Sequence, residues 1–294
     1  MQKLNAQYIR KLLNNIAAEH IPDIIIHQCV DSTNRWLLDN ANNKTPRGTV
    51  CLAEHQTAGR GRHGRNWVSP PNSNLYLSLL WHYPKTIPKP YSLSLACGIA
   101  VLRALVTLGI STITIKWPND IFWAGRKLAG LLLEMRHDIT DVYQIIVGIG
   151  INVHMQTSDA VAIEQPWTTL EQIMLANSRE SNSNHLIEPN HLIEHNNLIE
   201  SNLLLDRNYL TASVLNELIT ALLQFATDGL TTFLPAWNRY DMLKQQRIQI
   251  TIGNKMLEGD YLGITQDGAL KLAIGDTIMP CYSGEVTHCC IASQ

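Results

Sequence analysis

The run Gly59-Arg60-Gly61-Arg62-His63-Gly64-Arg65 spells G-x-G-x-x-G, and the residues directly after it constrain the fold more than the glycines do. A dinucleotide-binding fingerprint must open a helix and be followed, about 20 residues on, by an acidic residue for the ribose. Here the chain continues as Trp67-Val68-Ser69-Pro70-Pro71, through which no helix starts. No Asp or Glu occurs from His55 to Asn119. A Rossmann turn is therefore excluded, and no Walker-type Lys-Ser or Lys-Thr pair is present. The strand before the run ends in an open loop instead.

That carboxylate-free window carries Arg60, Arg62, Arg65, Lys85, Lys89, Arg103 and Lys116. Three arginines interleaved with glycines make a flexible cationic loop. Glycine lets backbone N–H groups approach an anion, and the guanidinium fork binds phosphate or carboxylate in bidentate fashion. A solvated surface loop is the bland alternative, but surface arginines usually have acidic neighbours in sequence and these do not. The formal net charge of the chain is -2, so this is a local concentration of charge rather than a nucleic-acid footprint.

Around the loop the pattern is that of an α/β chain. Residues 1–20 read as one short amphipathic helix. Ile24–Val30 reads as a strand leading into Asp31-Ser32-Thr33-Asn34, which caps a helix over Arg35–Asn40. Thr49–Glu54, Leu75–Trp81, Ile113–Trp117, Lys127–Met135 and Val142–Ile151 read as strands, and Tyr91–Leu108 as a buried helix. Ala176–Leu205 repeats the pattern Asn-His-Leu-Ile-Glu and reads as a low-complexity surface insertion, flexible or weakly helical. No cysteine accompanies its histidines, and no metal site is expected there. Helical periodicity returns at Leu210–Phe225 and Leu230–Tyr240. Beyond residue 240, short strands (Arg247–Ile252, Met256–Leu262, Ala269–Ile274, Gly275–Tyr282) alternate with Gly-Asn, Gln-Asp-Gly and Gly-Asp turns, which predicts a small SH3-like β-barrel. A length of 294 residues accommodates this division into domains 1–240 and 241–294.

Two further segments carry chemistry. In Lys116-Trp117-Pro118-Asn119-Asp120, Pro118 ends a strand and leaves Asn119 and Asp120 as exposed polar groups. Asp120 suits Mg²⁺ or a substrate amine, or is an ordinary turn residue. Lys127, in Arg126-Lys127-Leu128-Ala129-Gly130, either snorkels or faces a ligand. In Gly148-Ile149-Gly150-Ile151-Asn152, the spaced glycines leave room for a flat ligand or a close backbone, and Asn152 suits a base edge.

Six cysteines fall at no metal-ligand spacing, and three sit singly in apolar segments as buried thiols do. The polar N-terminus lacks the apolar core of a signal peptide, and no apolar run approaches the ~20 residues of a membrane span. The expected compartment is a reducing cytoplasm.

In this order, the segments Ser32-Thr33-Asn34, Gln56–Trp67, Lys116–Asp120, Arg126–Gly130 and Gly148–Asn152 resemble biotin–protein ligases. The resemblance implies a class II synthetase-like α/β (α+β) catalytic domain with a mixed sheet, and a C-terminal β-barrel. It implies ATP and biotin as substrates with Mg²⁺. Biotinyl-5'-AMP forms first, and biotin is then transferred to a lysine of a biotin carboxyl carrier protein of acetyl-CoA carboxylase. It carries over Ser32, Thr33, Asn34, Gln56, Gly59, Arg60, Gly61, Arg62 and Lys127 as biotin-binding positions. Arg60, Arg62, Arg65, Trp67, Lys116, Asn119 and Asn152 become the adenylate side, with Trp67 as the wall for adenine. Arg62, Lys127 and Asp120 become the catalytic set, Asp120 orienting the acceptor lysine or Mg²⁺. Without ligand the arginine loop is expected to be open or disordered.

Some members of that family carry a DNA-binding helix-turn-helix before the ligase. About 20 residues precede the first strand here, so no repressor role, DNA or membrane partner is expected, and the chain reads as a monomer or homodimer. The rival enzyme is a lipoate ligase, whose pocket would need an apolar slot in place of hydroxyl groups. The rival of another class is a DNA-binding biotin sensor.

Overall fold

The computed structural model describes residues 2–42, 44–86, 92–136, 142–184 and 205–290. Seven strands form the main sheet: β1 (Ile24–His27), β2 (Val50–Ala53), β3 (Leu75–Pro84), β4 (Ile113–Lys116), β5 (Asp120–Trp123), β6 (Arg126–Arg136) and β7 (Val142–Ile151). Their order is β1-β2-β3-β7-β6-β5-β4. β1 and β2 are parallel, joined by a crossover that holds helix α3 (Thr33–Asn40), and the remaining pairs are antiparallel. The sheet is thus mixed, as expected.

Its centre is the long β3–β7 pair, in register from Leu75↔Ile151 to Pro84↔Val142. β3 is apolar on alternate residues, and both its faces are covered. Leu75, Leu77, Leu79 and Trp81 face a large core with helices α4 (Leu93–Thr107) and α6 (Arg207–Asp228). Leu80, Cys51 and Ile146 face α3 through Leu37 and Ala41. Burial of these side chains, each worth about 1.5–3 kcal/mol, fixes the register, because a one-residue slip would exchange the faces. Cys51 and Cys97 are buried thiols, and burial pushes Cys51 up to about 12.

Before β1, the chain forms two short helices rather than the expected one: α1 (Ala6–Leu12) and α2 (Asn15–His20). Asn14 divides them because its side chain accepts from Ala17 N at 2.8 Å, a helix N-cap. Both pack on α6. The segment 2–4 is also held by a buried ion pair. Arg207 Nη1 lies 2.6 Å from Glu54 Oε2, the two side chains 0% and 2% exposed, while Glu54 Oε1 accepts from Leu4 N and Arg207 Nη2 donates to Gln2 O. By length and composition α6 could cross a bilayer, contrary to the expectation that no segment could, yet it lies in the core between α4, α1 and α2.

Three elements escape the sequence pattern: β5, helix α5 (Leu170–Asn184) and the last strand, Glu285–Cys290. α5 enters the repeat segment, whose remaining residues 185–204 lie outside the described residues, as do Lys89 and Tyr91. After helix α7 (Leu234–Tyr240) comes a second, antiparallel sheet of five strands: β8 (Arg247–Ile252), β9 (Lys255–Ile264), β10 (Leu270–Ile274), β11 (Thr277–Cys281) and β12 (Glu285–Cys290), in order β11-β10-β9-β8-β12. Ile248, Ile250, Leu270 and Leu272 share the main core. Trp117 Nε1 donates to Gly268 O at 3.1 Å and Met242 N to Ile115 O at 2.9 Å, so the edge of the main sheet and the C-terminal sheet are stitched together beside the site.

Candidate functional site

A cavity of about 130 Å³ lies where the arginine loop folds over β3, β6 and β7, closed on its far side by the start of β12. Its walls come from sequence-distant elements: the start of α3, the loop Arg60–Trp67, the β4–β5 turn, Lys127 on β6 and the glycines of β7.

One end is lined by hydroxyl and amide groups. Ser32 caps α3, accepting from Arg35 N at 3.5 Å, so helix formation itself turns Ser32, Thr33 and Asn34 toward the cavity. Gln56 Oε1 accepts from Thr33 N at 2.9 Å and from Thr33 Oγ1 at 3.2 Å, and Gln56 Nε2 donates to Ser69 Oγ at 2.9 Å. Beneath them Ser78 Oγ lies 2.7 Å from Thr33 Oγ1 and 2.5 Å from Asn34 Oδ1. Asn34 Nδ2 donates to Glu134 Oε2 at 2.9 Å and to Leu132 O at 3.1 Å.

The two spaced glycines of β7 each accommodate a different neighbour. A Cβ on Gly148 would collide with the Asn34 carboxamide. A Cβ on Gly150 would sit 2.5 Å from Trp67 Cε2. The flat group anticipated at these glycines therefore belongs to the protein: Trp67 lies on the β6–β7 backbone at the Gly130↔Gly150 pair. Lys127 Nζ is 5.6 Å from the indole centroid, within cation–π range.

The other end is cationic, and its charges are mostly paired. Arg60 meets Glu134 at 3.0 Å, Arg65 meets Glu285 at 2.6 Å, and Lys127 meets Asp120 at 2.7 Å. The carboxylates lie outside the acid-free window but return to it in space, which corrects the expectation of unopposed charge. Arg62 differs. Among the described residues it forms no ion pair; Nη2 donates weakly to Gly284 O at 3.4 Å. Burial lowers its pKa, while Asp120 and Glu285 work the other way. A half-desolvated guanidinium beside a cavity is a group that gains most from an incoming anion.

The loop is closed rather than open. Gly61 N donates to Arg65 O at 2.7 Å and Trp67 N to Gly59 O at 2.9 Å, forming a small hairpin tipped by a 3₁₀ turn at Arg62–Gly64. His63 and Gly64 take φ of 55° and 73°. The ion pairs to Glu134 and Glu285 give the physical reason for closure, since they replace contacts the loop would otherwise lack.

Ser32, Thr33, Asn34, Gln56, Arg60, Gly61, Arg62, Arg65, Trp67, Lys116, Asp120 and Lys127 all line the cavity; Gly59, Asn119 and Asn152 do not. Gly59 is required for packing, because a Cβ there would strike the Trp67 carbonyl. Asn119, expected to be exposed, is 3% exposed and donates to Leu131 O at 2.7 Å. Asn152 is 4% exposed and its Nδ2 donates to Thr168 O at 3.1 Å, tying β7 to the segment before α5. Lys116 lies 5.6 Å over the Phe122 ring at the cavity edge. The residues missed from sequence are Ser78, Glu134 and Glu285. Among the described residues no three metal-ligating side chains converge, and Asp120 is committed to Lys127, so the site forms no protein-built Mg²⁺ cage.

Residues 26–152, from β1 to the end of β7, match the model of the Biotin/lipoate A/B protein ligase family. The chain is 34% identical over 287 residues to the bifunctional ligase/repressor BirA of Escherichia coli, covering 98% of this chain and 78% of that protein. It is 39% identical over 127 residues to a biotin–[acetyl-CoA-carboxylase] ligase of Mycobacterium tuberculosis, covering 42% of this chain and 46% of that one. In structure it is similar to the biotin protein ligase of Aquifex aeolicus in complex with biotin and ATP, with a TM-score of 0.70 and 27% identity over 91% of this chain and 98% of that one.

Proposed function

For a chain that belongs to the Biotin/lipoate A/B protein ligase family, and within it is a biotin–protein ligase, we propose a two-step reaction at the cavity under the arginine loop. In the first step a carboxylate oxygen of biotin attacks the α-phosphorus of ATP; the bond to the bridging oxygen breaks, and pyrophosphate leaves with its electron pair. In the second step the uncharged amine of an acceptor lysine attacks the acyl carbon of biotinyl-AMP. AMP leaves, and the amine's surplus proton is lost.

The observation that carries this reading is the polarity of the cavity. Hydroxyl and amide side chains (Ser32, Thr33, Asn34, Gln56) line one end, suited to the neutral ureido ring with its N–H donors and carbonyl acceptor. Arg60, Arg62, Arg65 and Lys127 line the other, suited to a carboxylate and a triphosphate that repel each other. Arg62, which forms no ion pair among the described residues, is the group for charge developing on the α-phosphate. Lys127 holds the acyl-phosphate oxygens, and Asp120, already 2.7 Å from Lys127 Nζ, is placed to receive the acceptor amine. Adenine packs on the face of Trp67 turned away from Gly150. Mg²⁺ enters with ATP as part of that substrate, with Asp120 the nearby carboxylate. Asn119 and Asn152 shape the nucleotide end through the backbone they hold rather than through contact.

The loop closed over the adenylate excludes water from a hydrolysable anhydride. The acceptor is a carrier domain of a biotin-dependent carboxylase, and the C-terminal sheet, read as an SH3-like barrel from residue 241, completes the site through Gly284 and Glu285. The reading is confined to ligation. The test is release of pyrophosphate with biotin or lipoate, followed by transfer to a carrier domain with ATP and Mg²⁺, beside a DNA gel shift. Biotin-dependent release and transfer support it; turnover without biotin, or with lipoate in its place, sinks it.

A further inference from the structure

Glu134 lies on β6 inside an otherwise apolar stretch, Leu131-Leu132-Leu133-Glu134-Met135, with its side chain 19% exposed. A carboxylate there needs partners, and it has two. Oε1 pairs with Arg60 at 3.0 Å, and Oε2 accepts from Asn34 Nδ2 at 2.9 Å. The Asn34 carboxamide lies over Gly148, where no side chain would fit, and its second Nδ2 hydrogen goes to Leu132 O at 3.1 Å. Both amide hydrogens are thereby committed.

This commitment has a direction. A carboxylate only accepts, so the amide must present nitrogen to Glu134 and oxygen to Ser78. Ser78 Oγ, 0% exposed and 2.5 Å from Asn34 Oδ1, has one hydrogen to give, and it goes there. Its oxygen is then left to accept from Thr33 Oγ1, 2.7 Å away; the single Thr33 hydrogen goes to this oxygen or to Gln56 Oε1 at 3.2 Å, and in either case to the protein. Thr33, which lines the cavity, turns its hydrogen inward and its lone pair outward. The relay Glu134–Asn34–Ser78–Thr33 has one polarity, and a negative charge at its start sets it.

We propose that Glu134 is a positioning residue for substrate selection: through Asn34 and Ser78 it holds the Thr33 hydroxyl as an acceptor for a ring N–H of the acid being activated, and through Arg60 it latches the loop above. The inference rests on the biotin-ligase reading and deepens it, because it names which ligand hydrogens the closed end selects. A glutamine at 134 keeps the shape but offers an N–H as well as a carbonyl, so the amide of Asn34 is no longer forced to one orientation. Neither Glu134 nor Ser78 lines the reacting end of the cavity, so neither is asked to touch the acyl phosphate.

The test uses the full chain and measures initial rates of biotin-dependent pyrophosphate release for the parent, Glu134→Gln and Ser78→Ala. Each is assayed with biotin and with biotin methylated at a ring nitrogen. Both variants are expected to raise KM for biotin about tenfold, the size of one hydrogen bond, with kcat and KM for ATP within about threefold of the parent. The parent's preference for biotin over the methylated ligand should shrink by a similar factor. Ser78→Ala leaves the Arg60–Glu134 pair intact, so it decides the relay even where Glu134→Gln fails to fold. An unchanged KM for biotin and an unchanged ligand preference in Ser78→Ala overturn the proposal while leaving the ligase reading in place. A parent without biotin-dependent release overturns the ligase reading itself.

Discussion

A single methyl group at Gly148 or at Gly150 should damage different halves of the same reaction. The two glycines are two residues apart on β7 and share one face of the sheet. Neither has a positive φ, so the backbone accepts alanine and the whole effect comes from the added Cβ. At Gly150 that Cβ would lie 2.5, 2.6 and 2.7 Å from three indole atoms of Trp67. Ordinary carbon contacts lie near 3.5 Å, so the ring must lift by about 1 Å. It cannot do so alone, because Trp67 N is bonded to Gly59 O at 2.9 Å and the loop must follow. Overpacking of this kind costs about 1–3 kcal/mol, a factor of roughly 5–150 in a binding constant. Gly150→Ala should therefore raise KM for ATP by at least about fivefold, with KM for biotin changed less. At Gly148 the obstructed group is the Asn34 carboxamide, so Gly148→Ala should raise KM for biotin instead. The assay is pyrophosphate release at varied biotin and varied ATP, beside thermal melts of both variants. Two variants with the same pattern of KM changes, or with none, would refute the assignment of Trp67 to one end and Asn34 to the other.

Arg62→Gly removes a half-buried loop cation that forms no ion pair among the described residues, so adenylation should slow by about 10²-fold and release of free biotinyl-AMP should rise relative to transfer; equal retention of the adenylate in variant and parent counts against this. Arg207→Ala leaves Glu54 charged, buried and unpaired, a loss of about 3–5 kcal/mol and a Tm drop on the order of 10 °C; a melt within a degree or two of the parent would remove this pair as a structural anchor. Burial raises the pKa of Asp241, opposed by the hydroxyl of Tyr261 2.6 Å away. The folded state therefore holds that proton more tightly than the unfolded chain, and stability falls as pH rises from the ordinary carboxylate range through the raised value. Asp241→Asn should flatten that fall in denaturant titrations across the acid range, and an unaltered slope would refute it.

The frame of this molecule is legible in its sequence wherever one pattern dominates. β7 and β8 begin and end where their apolar runs do, at Val142–Ile151 and Arg247–Ile252. The cationic loop is legible too, because Pro70-Pro71 and the absence of acids exclude the alternatives locally. Legibility fails where a residue's meaning is set by something far along the chain. Asn119-Asp120 reads as an exposed turn, yet pairing with β6 makes Asp120–Trp123 a strand and buries Asn119. Gly148 and Gly150 declare that something comes close, but only the fold says that it is Asn34 and Trp67. Glu134 is visible as a lone acid in an apolar strand; its partner Arg60 is 74 positions upstream, beyond any periodicity argument.

Charge pairing in the loop has the same non-local origin, and it alters how the loop works. A run of arginines with no counter-charge would repel itself and stand open, as the sequence suggests. Glu134 and Glu285 instead bring the loop down from opposite sides, one from the main sheet and one from the C-terminal sheet. Both pairs are partly exposed (Arg60 40%, Arg65 51%), so each is worth at most about 1 kcal/mol, and an incoming phosphate competes with them on nearly equal terms. Arg62, between them, has no carboxylate to exchange and is the more desolvated. The paired arginines thus set where the loop rests, and the unpaired one sets what it rests upon. On this reading, exchange of internal for substrate anions lets Arg60 and Arg65 keep a counter-charge both before and after substrate binds.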